Sequence, residues 1–488
     1  MFLFLRKLVI IKEYPNNSYD KCHILQSRIE VFLGMSNALV NKYNIPGPRY
    51  TSYPTVPYWD NTSFSLNDWK KSLHKAFSSS NSEEGISLYI HLPFCESLCT
   101  FCGCNKRITK QHSVESPYIN AVLKEWQLYL NMFDEKPVIK ALHLGGGTPT
   151  FFSPQNLKTL INGILEHAIV AENYEFSFEG HPNNTTKEHL QALYDVGFRR
   201  VSYGVQDYND TVQKAIHRIQ PFENVKRVTE QARAIGYTSV SHDIIYGLPF
   251  QSLEHVKETI LKTKSLLPDR LAFYSYAHVP WVKGNGQRGF KDSDVPSGEL
   301  KRKQYEIGKQ LLSDVGYEEI GMDHFALKSD SLYKSMISGD LHRNFMGYSD
   351  SKTLAMIGLG VSAISDSWFG FAQNVKSIEA YYKLLDSDTI PVYRGHILNE
   401  EDLVVRQHIL NLMCRFKTSW TATHLYFDDL PDMLIKLEEM EQDGLLIRTK
   451  NSVEVTQKGQ PFVRNICMAF DVLLQRNKPH TQLFSMTI

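Results

Sequence analysis

The stretch YIHLPFCESLCTFCGCNK, residues 89–106, decides how this chain is read. It continues a run from Ile86 in which Leu88, Ile90 and Leu92 alternate with Ser87, Tyr89 and His91, the two-residue period of a β-strand. Four of the seven cysteines follow within ten residues: Cys95, Cys99, Cys102 and Cys104, spaced C-x3-C-x2-C-x-C. Three chemistries compete for such a loop. A structural zinc ion takes four ligands, commonly as two knuckles from separate loops, and wrapping all four of these thiols onto one ion is sterically awkward. A thiol redox pair needs an isolated C-x-x-C. An iron–sulfur cluster suits thiolates crowded on one loop, because a cubane presents several irons to one stretch of backbone. With three ligands, one iron stays open to a substrate or cofactor.

Five further β-rich runs follow, separated by amphipathic stretches: IKALHLGGGTPT (139–150), YEFSFEGHP (174–182), RRVSYGVQ (199–206), TSVSHDIIYGLP (238–249) and RLAFYSYAH (270–278). Ser153 with Pro154 after it predicts a helix start, and Gly197 predicts a helix end. Six βα units in series predict a parallel sheet with helices outside, curled by right-handed crossovers into a partial (βα)6 TIM-type barrel. An open doubly wound sheet is the alternative. Polar or glycine residues finish almost every strand, at Cys95, Gly145–Gly147, Glu179, Gln206, Asp243 and His278, on the face where barrel enzymes act. The barrel is expected over 86–372. A smaller, mainly helical C-terminal domain is expected over 373–488, ending in a helix, a two-stranded wing and a last helix. Residues 35–85 are expected to cover the active site. The start, MFLFLRKLVIIKEYP, has an apolar run broken by Arg6 and Lys7 and no small-residue cleavage site. Residues 1–34 are expected to be dispensable, with Met35 a natural start.

Lys plus Arg and Asp plus Glu number 53 each among 488 residues. This balance argues against a nucleic-acid or anionic-membrane partner held by bulk electrostatics, so an anionic substrate must be held by a few local cations. Seven cysteines, four of them too close together to staple a fold, point to a reducing, cytoplasmic setting.

C-x3-C-x2-C after a first strand, followed by GGGTP at the end of the next, resembles the radical S-adenosylmethionine (SAM) enzymes. The resemblance narrows with KYNIPGPRYTSYP (42–54), GVQDYN (204–209), DIIYGLP (243–249), YAHVP (276–280), GMDHFA (321–326), LHRNFMGY (341–348), GVSAIS (360–365) and RNICMAFD (464–471). Together with the fourth cysteine, these are similar to the oxygen-independent coproporphyrinogen III oxidases over about residues 36–488. One departure is His181 in FEGHP, where the family often has an acidic residue.

The resemblance implies a [4Fe–4S] cluster that binds SAM through its open iron and cleaves it to methionine and a 5′-deoxyadenosyl radical. It also implies coproporphyrinogen III as substrate, two of whose propionates become vinyl groups with loss of CO2, giving protoporphyrinogen IX. Cys95, Cys99 and Cys102 are the implied cluster ligands, with Cys104 lining the site. Tyr89, Phe101, Gly146, Gly147, Thr148, Glu179 and Ile364 match contacts to the first SAM, and Gln206, Arg218, Asp243 and Ala277 match contacts to a second. An ordinary core aromatic, a tight turn, a surface ion pair and a strand cap are the plainer readings of these types. Arg49 and Arg343 are candidates for the substrate carboxylates, since a guanidinium pairs with a carboxylate in bidentate fashion; Arg49 could equally pin the N-terminal segment. An external low-potential electron donor and a monomer are expected. The heme-chaperone relative of the family typically lacks the fourth cysteine and PGPRYTSYP, both present here. A purely structural iron–sulfur or zinc module would not need loaded strand ends.

Overall fold

The structure, a computed structural model, describes residues 38–281, 286–287, 289–420, 427–479 and 481–488. The segment 1–34 lies outside the described residues. All six expected strands form: β1 (Ile86–Leu92), β2 (Val138–Gly146), β3 (Ile169–Gly180), β4 (Arg200–Gln206), β5 (Ser239–Tyr246) and β6 (Arg270–Ser275). They pair in sequential order and in parallel. Helices Glu115–Leu130, Pro154–Leu165, Lys187–Asp195, Phe222–Ile235 and Leu253–Leu266 lie between consecutive strands. Ser153 caps its helix by accepting from the Asn156 N–H, with Pro154 in the first turn. Gly197, just past Asp195, has φ +103°, which a residue with a side chain rarely adopts.

The sheet is larger than six strands. β7 (Tyr317–Gly321) and β8 (His324–Leu327) add antiparallel beside β6. On the other side β9 (Ala355–Leu359) runs parallel to β1, and β10 (Ile364–Asp366), β11 (Gly370–Asn374) and β12 (Val392–Ile397) continue antiparallel. The order is β12-β11-β10-β9-β1-β2-β3-β4-β5-β6-β8-β7, so the barrel is partial and open. The division expected at 372 falls inside β11 and is corrected: the sheet runs on to Ile397, and helix Ile378–Asp386 joins the barrel core through Ile378, Tyr381 and Leu385.

Alternation along β1 separates two environments. Ile86, Leu88, Ile90 and Leu92 pack outward with Tyr118, Val122 and Trp126 of the first crossover helix. Ser87, Tyr89 and His91 face inward, where the barrel is lined by polar groups such as His143, Ser177 and Glu179. Near the starts of its strands the barrel holds a buried ionic group: Arg270 bonds Asp330 at 2.6 Å and lies 3.4 Å from Asp350, while Arg200 pairs with Glu175. Glu125, also buried, accepts from Gly360 N–H (2.7 Å), Asn374 Nδ2 (2.6 Å) and the Tyr381 hydroxyl (2.6 Å). It thereby ties the first crossover helix to the far edge of the sheet.

The C-terminal unit begins with helix Glu400–Arg415 and has its own core of Val405, Ile409, Leu412, Leu437, Val453 and Ile466. Its wing has three strands rather than two, because Lys417–Ser419 pairs with the hairpin of Leu446–Arg448 and Ser452–Val455. The N-terminal segment is also corrected. Tyr50 and Tyr53 belong to this second core, and Gly47 N–H bonds the Ser485 carbonyl. Helix Leu66–Ser80 packs Trp69, Leu73 and Phe77 on the barrel. No described residue between 38 and 85 lines the cysteine cavity.

Candidate active site

A cavity of about 920 Å³ opens at the carboxyl ends of β1–β5. The four cysteines line it, with Phe101, Gly146, Gly147, Thr148, Glu179, Gln206, Arg218 and Asp243. Most of the residues singled out from the sequence therefore converge on one space.

The cysteine loop is held from both sides. Short strands Phe94–Cys95 and Arg107–Ile108 pair in parallel at its base, where Thr109 N–H bonds the Cys95 carbonyl. Thr100 N–H bonds the Ile216 carbonyl and its hydroxyl bonds that of Ala215, each at 3.0 Å. Lys106 Nζ donates to the carbonyls of Cys102 (3.1 Å) and Cys104 (3.3 Å). Burial pushes the Cys95 thiol up to about 11, against a 3.4 Å contact with Thr148 Oγ1 that favours the thiolate. The neighbouring Cys104 thiol lowers Cys102 below the usual thiol range, and Cys102 in turn raises Cys104 well above it. Cys102 is thus the more acidic of the two.

The second strand ends in a turn that only glycine fits. A Cβ on Gly147 would lie 2.6 Å from the Pro93 carbonyl carbon, and one on Gly146 would lie 2.7 Å from the His91 ring. Gly147 N–H bonds the Leu92 carbonyl (2.8 Å) and Thr148 N–H that of Phe94 (3.0 Å), so this turn is laced to the strand that launches the cysteines. Glu179 accepts from Gly146 N–H at 3.2 Å and sits 3.6 Å from His143 Nε2. Tyr89 does not line the cavity; it packs beneath it, stacked on His143, with its hydroxyl 3.1 Å from His91 Nδ1. His91 donates through Nε2 to the Asn105 carbonyl (2.8 Å), and burial keeps it neutral.

At the end of the neighbouring strand β4, Gln206 adopts φ +66°. Arg218 Nη2 bonds the Gly204 carbonyl (2.6 Å), its Nη1 lies 3.8 Å from Cys99 Sγ, and its Nε is buried without a partner among the described residues. Asp243 accepts from the Ser202 hydroxyl at 2.9 Å, and burial raises its carboxyl to about 7. Ala277 and Ile364 lie off the cavity. The Ala277 carbonyl shares Gln287 Nε2 with the Phe101 carbonyl, and Ile364 packs near Trp59 and Phe371.

Arg49 and Arg343 are placed elsewhere than the substrate reading expected. Arg49 bonds Asp323 (3.0 Å) and the Ser275 carbonyl (2.9 Å). Arg343, 5% exposed, bonds the carbonyls of Tyr50 and Arg49 and lies over the Tyr348 ring. Both guanidiniums dock the N-terminal segment onto the barrel. Residues the sequence reading missed include Lys106, which bonds carbonyls of its own loop, and Thr100 and His143, whose roles depend on partners far away in the chain. His181 lines the cavity and accepts from Asn183 N–H, and burial beside Arg218 holds it well below the usual histidine range.

These residues fit a cluster. Among the described residues no three Cys, His, Asp or Glu side chains converge as ligands of a single ion. Thiols spread around one loop suit a cubane, where each meets a different iron. Gly146, Gly147 and Thr148 line the cavity with the thiols, and Arg218, which also lines it, has a buried Nε without a partner among the described residues.

A family model described as the radical SAM superfamily matches residues 89–262. The oxygen-independent coproporphyrinogen III oxidase of Synechocystis sp. is 39% identical over 462 residues, 93% of this chain and 98% of its own. That of Escherichia coli K12 is 38% identical over 456 residues, 92% and 98% of the two chains. The solved structure of the Escherichia coli coproporphyrinogen III oxidase, described as a radical SAM enzyme, superposes with a TM-score of 0.81 at 35% identity, covering 87% of this chain and 97% of that one. At these identities over nearly the whole of both chains, the chain belongs to the oxygen-independent coproporphyrinogen III oxidases of the radical SAM superfamily.

Proposed function

We propose that this protein is a radical SAM oxidoreductase of heme biosynthesis that converts two propionates of coproporphyrinogen III into vinyl groups without oxygen, giving protoporphyrinogen IX. The observation that carries the reading is the convergence of Cys95, Cys99 and Cys102 with the Gly146–Thr148 turn and Glu179 on one cavity. A [4Fe–4S] cluster held there would supply the low-potential electron for reductive cleavage of SAM, the radical chemistry that oxidative decarboxylation of a propionate requires. Cys95, Cys99 and Cys102 hold the cluster, and Cys104, already paired with Cys102, lines the site. Glu179, steadied by Gly146 N–H and His143, accepts from a donor group of SAM. The backbone of Gly146, Gly147 and Thr148 holds its amino-acid end, while Phe101 covers the adenine and Tyr89 and Ile364 support the site from the sheet. The walls exclude water from the reacting carbon.

Gln206, Arg218, Asp243 and Ala277 hold a second SAM, one for each propionate. This rests on the first three lining the same cavity, Gln206 and Asp243 on the two strands that follow Glu179 and Arg218 in the connection between them. The protein works as a cytoplasmic monomer, fed by an external low-potential electron donor and without a nucleic-acid partner. No helix among the described residues is long and apolar enough to cross a membrane.

The test is anaerobic turnover of the reconstituted protein with coproporphyrinogen III, SAM and a chemical reductant. Protoporphyrinogen IX with two methionines released per product is expected. SAM cleavage with no vinyl product would overturn the substrate assignment, and no SAM cleavage would overturn the enzyme class.

A further inference from the structure

The docked positions of Arg49 and Arg343 raise the question of what meets the substrate's four carboxylates. Most cationic or imidazole groups on the cavity wall are already engaged. Lys106 bonds two cysteine-loop carbonyls, and Arg218 bonds Gly204. His112 pairs with Glu115 at 2.7 Å, and His189 bonds the Phe152 carbonyl. Lys110 and His217 differ: both line the cavity, both are exposed, and neither side chain has a hydrogen-bond or ion-pair partner among the described residues.

They stand on opposite sides of the cysteine loop. Lys110 follows the short strand paired beside Cys95, with the neighbouring Thr109 N–H on the Cys95 carbonyl. His217 follows the Ile216 carbonyl that accepts from Thr100 N–H, and it is held at φ +51° by a turn in which its own N–H bonds the Lys214 carbonyl. Next to it Ile219, 57% exposed, lines the same cavity, and its carbonyl is anchored by Asn183 Nδ2 at 2.9 Å. An aliphatic side chain held in water at a cavity rim is a surface for an apolar ring face. We infer that Lys110 and His217 hold propionate carboxylates of the tetrapyrrole on the two sides of the cavity mouth, with Ile219 against a pyrrole ring. An ammonium and an imidazole N–H both donate to a carboxylate. The exposed Glu96 on the same rim opposes an anionic ligand.

This inference rests on the substrate assignment above. The full-length reconstituted enzyme is assayed as K110A, H217A and the double variant, with iron content checked against wild type. KM for coproporphyrinogen III is expected to rise about three- to tenfold singly and about thirtyfold together, with a smaller change in kcat. The affinity for coproporphyrin III, a stable analogue with the same four propionates, falls in parallel by fluorescence titration. K110R restores most of the loss, and E96Q lowers KM. A double variant that keeps iron, KM and porphyrin affinity at wild-type values overturns the inference while leaving the substrate assignment standing. Failure of the wild type itself to convert coproporphyrinogen III overturns both.

Discussion

Replacing Gly147 by alanine tests whether the glycine turn and the cysteine loop act as one unit. The added Cβ would sit 2.6 Å from the Pro93 carbonyl carbon, 2.7 Å from its oxygen and 2.9 Å from the Phe94 carbonyl oxygen. All three are backbone atoms, so no side chain can swing aside. The shortest contact is about 0.8 Å short of the 3.4 Å at which ordinary van der Waals contact begins. A shift of that size between the turn and the strand leading to Cys95 stretches the 3.0 Å bond from Thr148 N–H to Phe94 beyond hydrogen-bond range. Overpacking of this kind costs about 1–3 kcal/mol, and a lost buried hydrogen bond adds about 1–2 kcal/mol. The sum, about 2–5 kcal/mol, falls on the surface that holds SAM rather than on the global fold, because the outer core of Ile90, Tyr118 and Trp126 is untouched. Equilibrium binding of SAM to the anaerobically reconstituted G147A protein is the assay. A loss of SAM affinity of about thirtyfold or more is expected (1.4 kcal/mol being tenfold), with thermal stability close to wild type. Wild-type SAM affinity in a folded, iron-loaded G147A protein would refute the close-packing argument.

Other perturbations separate the remaining parts of the site. Cys95→Ala, Cys99→Ala and Cys102→Ala should each abolish cluster assembly, whereas Cys104→Ala retains a cluster; iron and sulfide content decides, and the reverse pattern would reassign the ligands. Asp243→Ala or Arg218→Ala should leave iron content normal but lower the number of SAM molecules bound per chain, by about 1.5–3 kcal/mol at that site, with a large loss of product; undiminished SAM stoichiometry would remove the second site. Burial raises the Glu125 carboxyl from its ordinary 4.5 to about 7 against its three hydrogen bonds. Its folded-state value is therefore above its unfolded one, so its contribution is fully present below pH 4.5 and is lost as pH rises through about 7, a cost approaching 3 kcal/mol. Glu125→Gln does not titrate, so its apparent Tm relative to wild type should rise between pH 5 and pH 8. A difference that stays constant with pH would mean that Glu125 does not change charge in this range.

The elements legible in the sequence are those whose signal is local. The two-residue alternation of Leu88, Ile90 and Leu92, the cap at Ser153 and the turn at Gly197 each depend on neighbours within a few residues, and the folded chain keeps all of them. The cysteine spacing is local too, and it limits the chemistry before any fold is known. Gly146, Glu179 and Gln206 were legible as strand ends, because parallel connectivity brings successive carboxyl ends to one face, whereas Asp243 lies within its strand, three residues before its end at Tyr246.

What only the tertiary structure decided is pairing between distant segments. β9 settles beside β1 through Ile86 opposite Ala355, and β11 carries the sheet across the boundary expected at 372. No periodicity within either segment encodes that choice, since a strand buried on both faces reads the same at an edge or a centre. Arg49 and Arg343 make the same point for side chains. Their chemistry suits a carboxylate ligand, yet Asp323 and the carbonyls of Arg49, Tyr50 and Ser275 lie within reach, and a guanidinium removed from water takes the partners that are there. Residue type sets what a group can bind; the packing of remote segments sets which partner it meets.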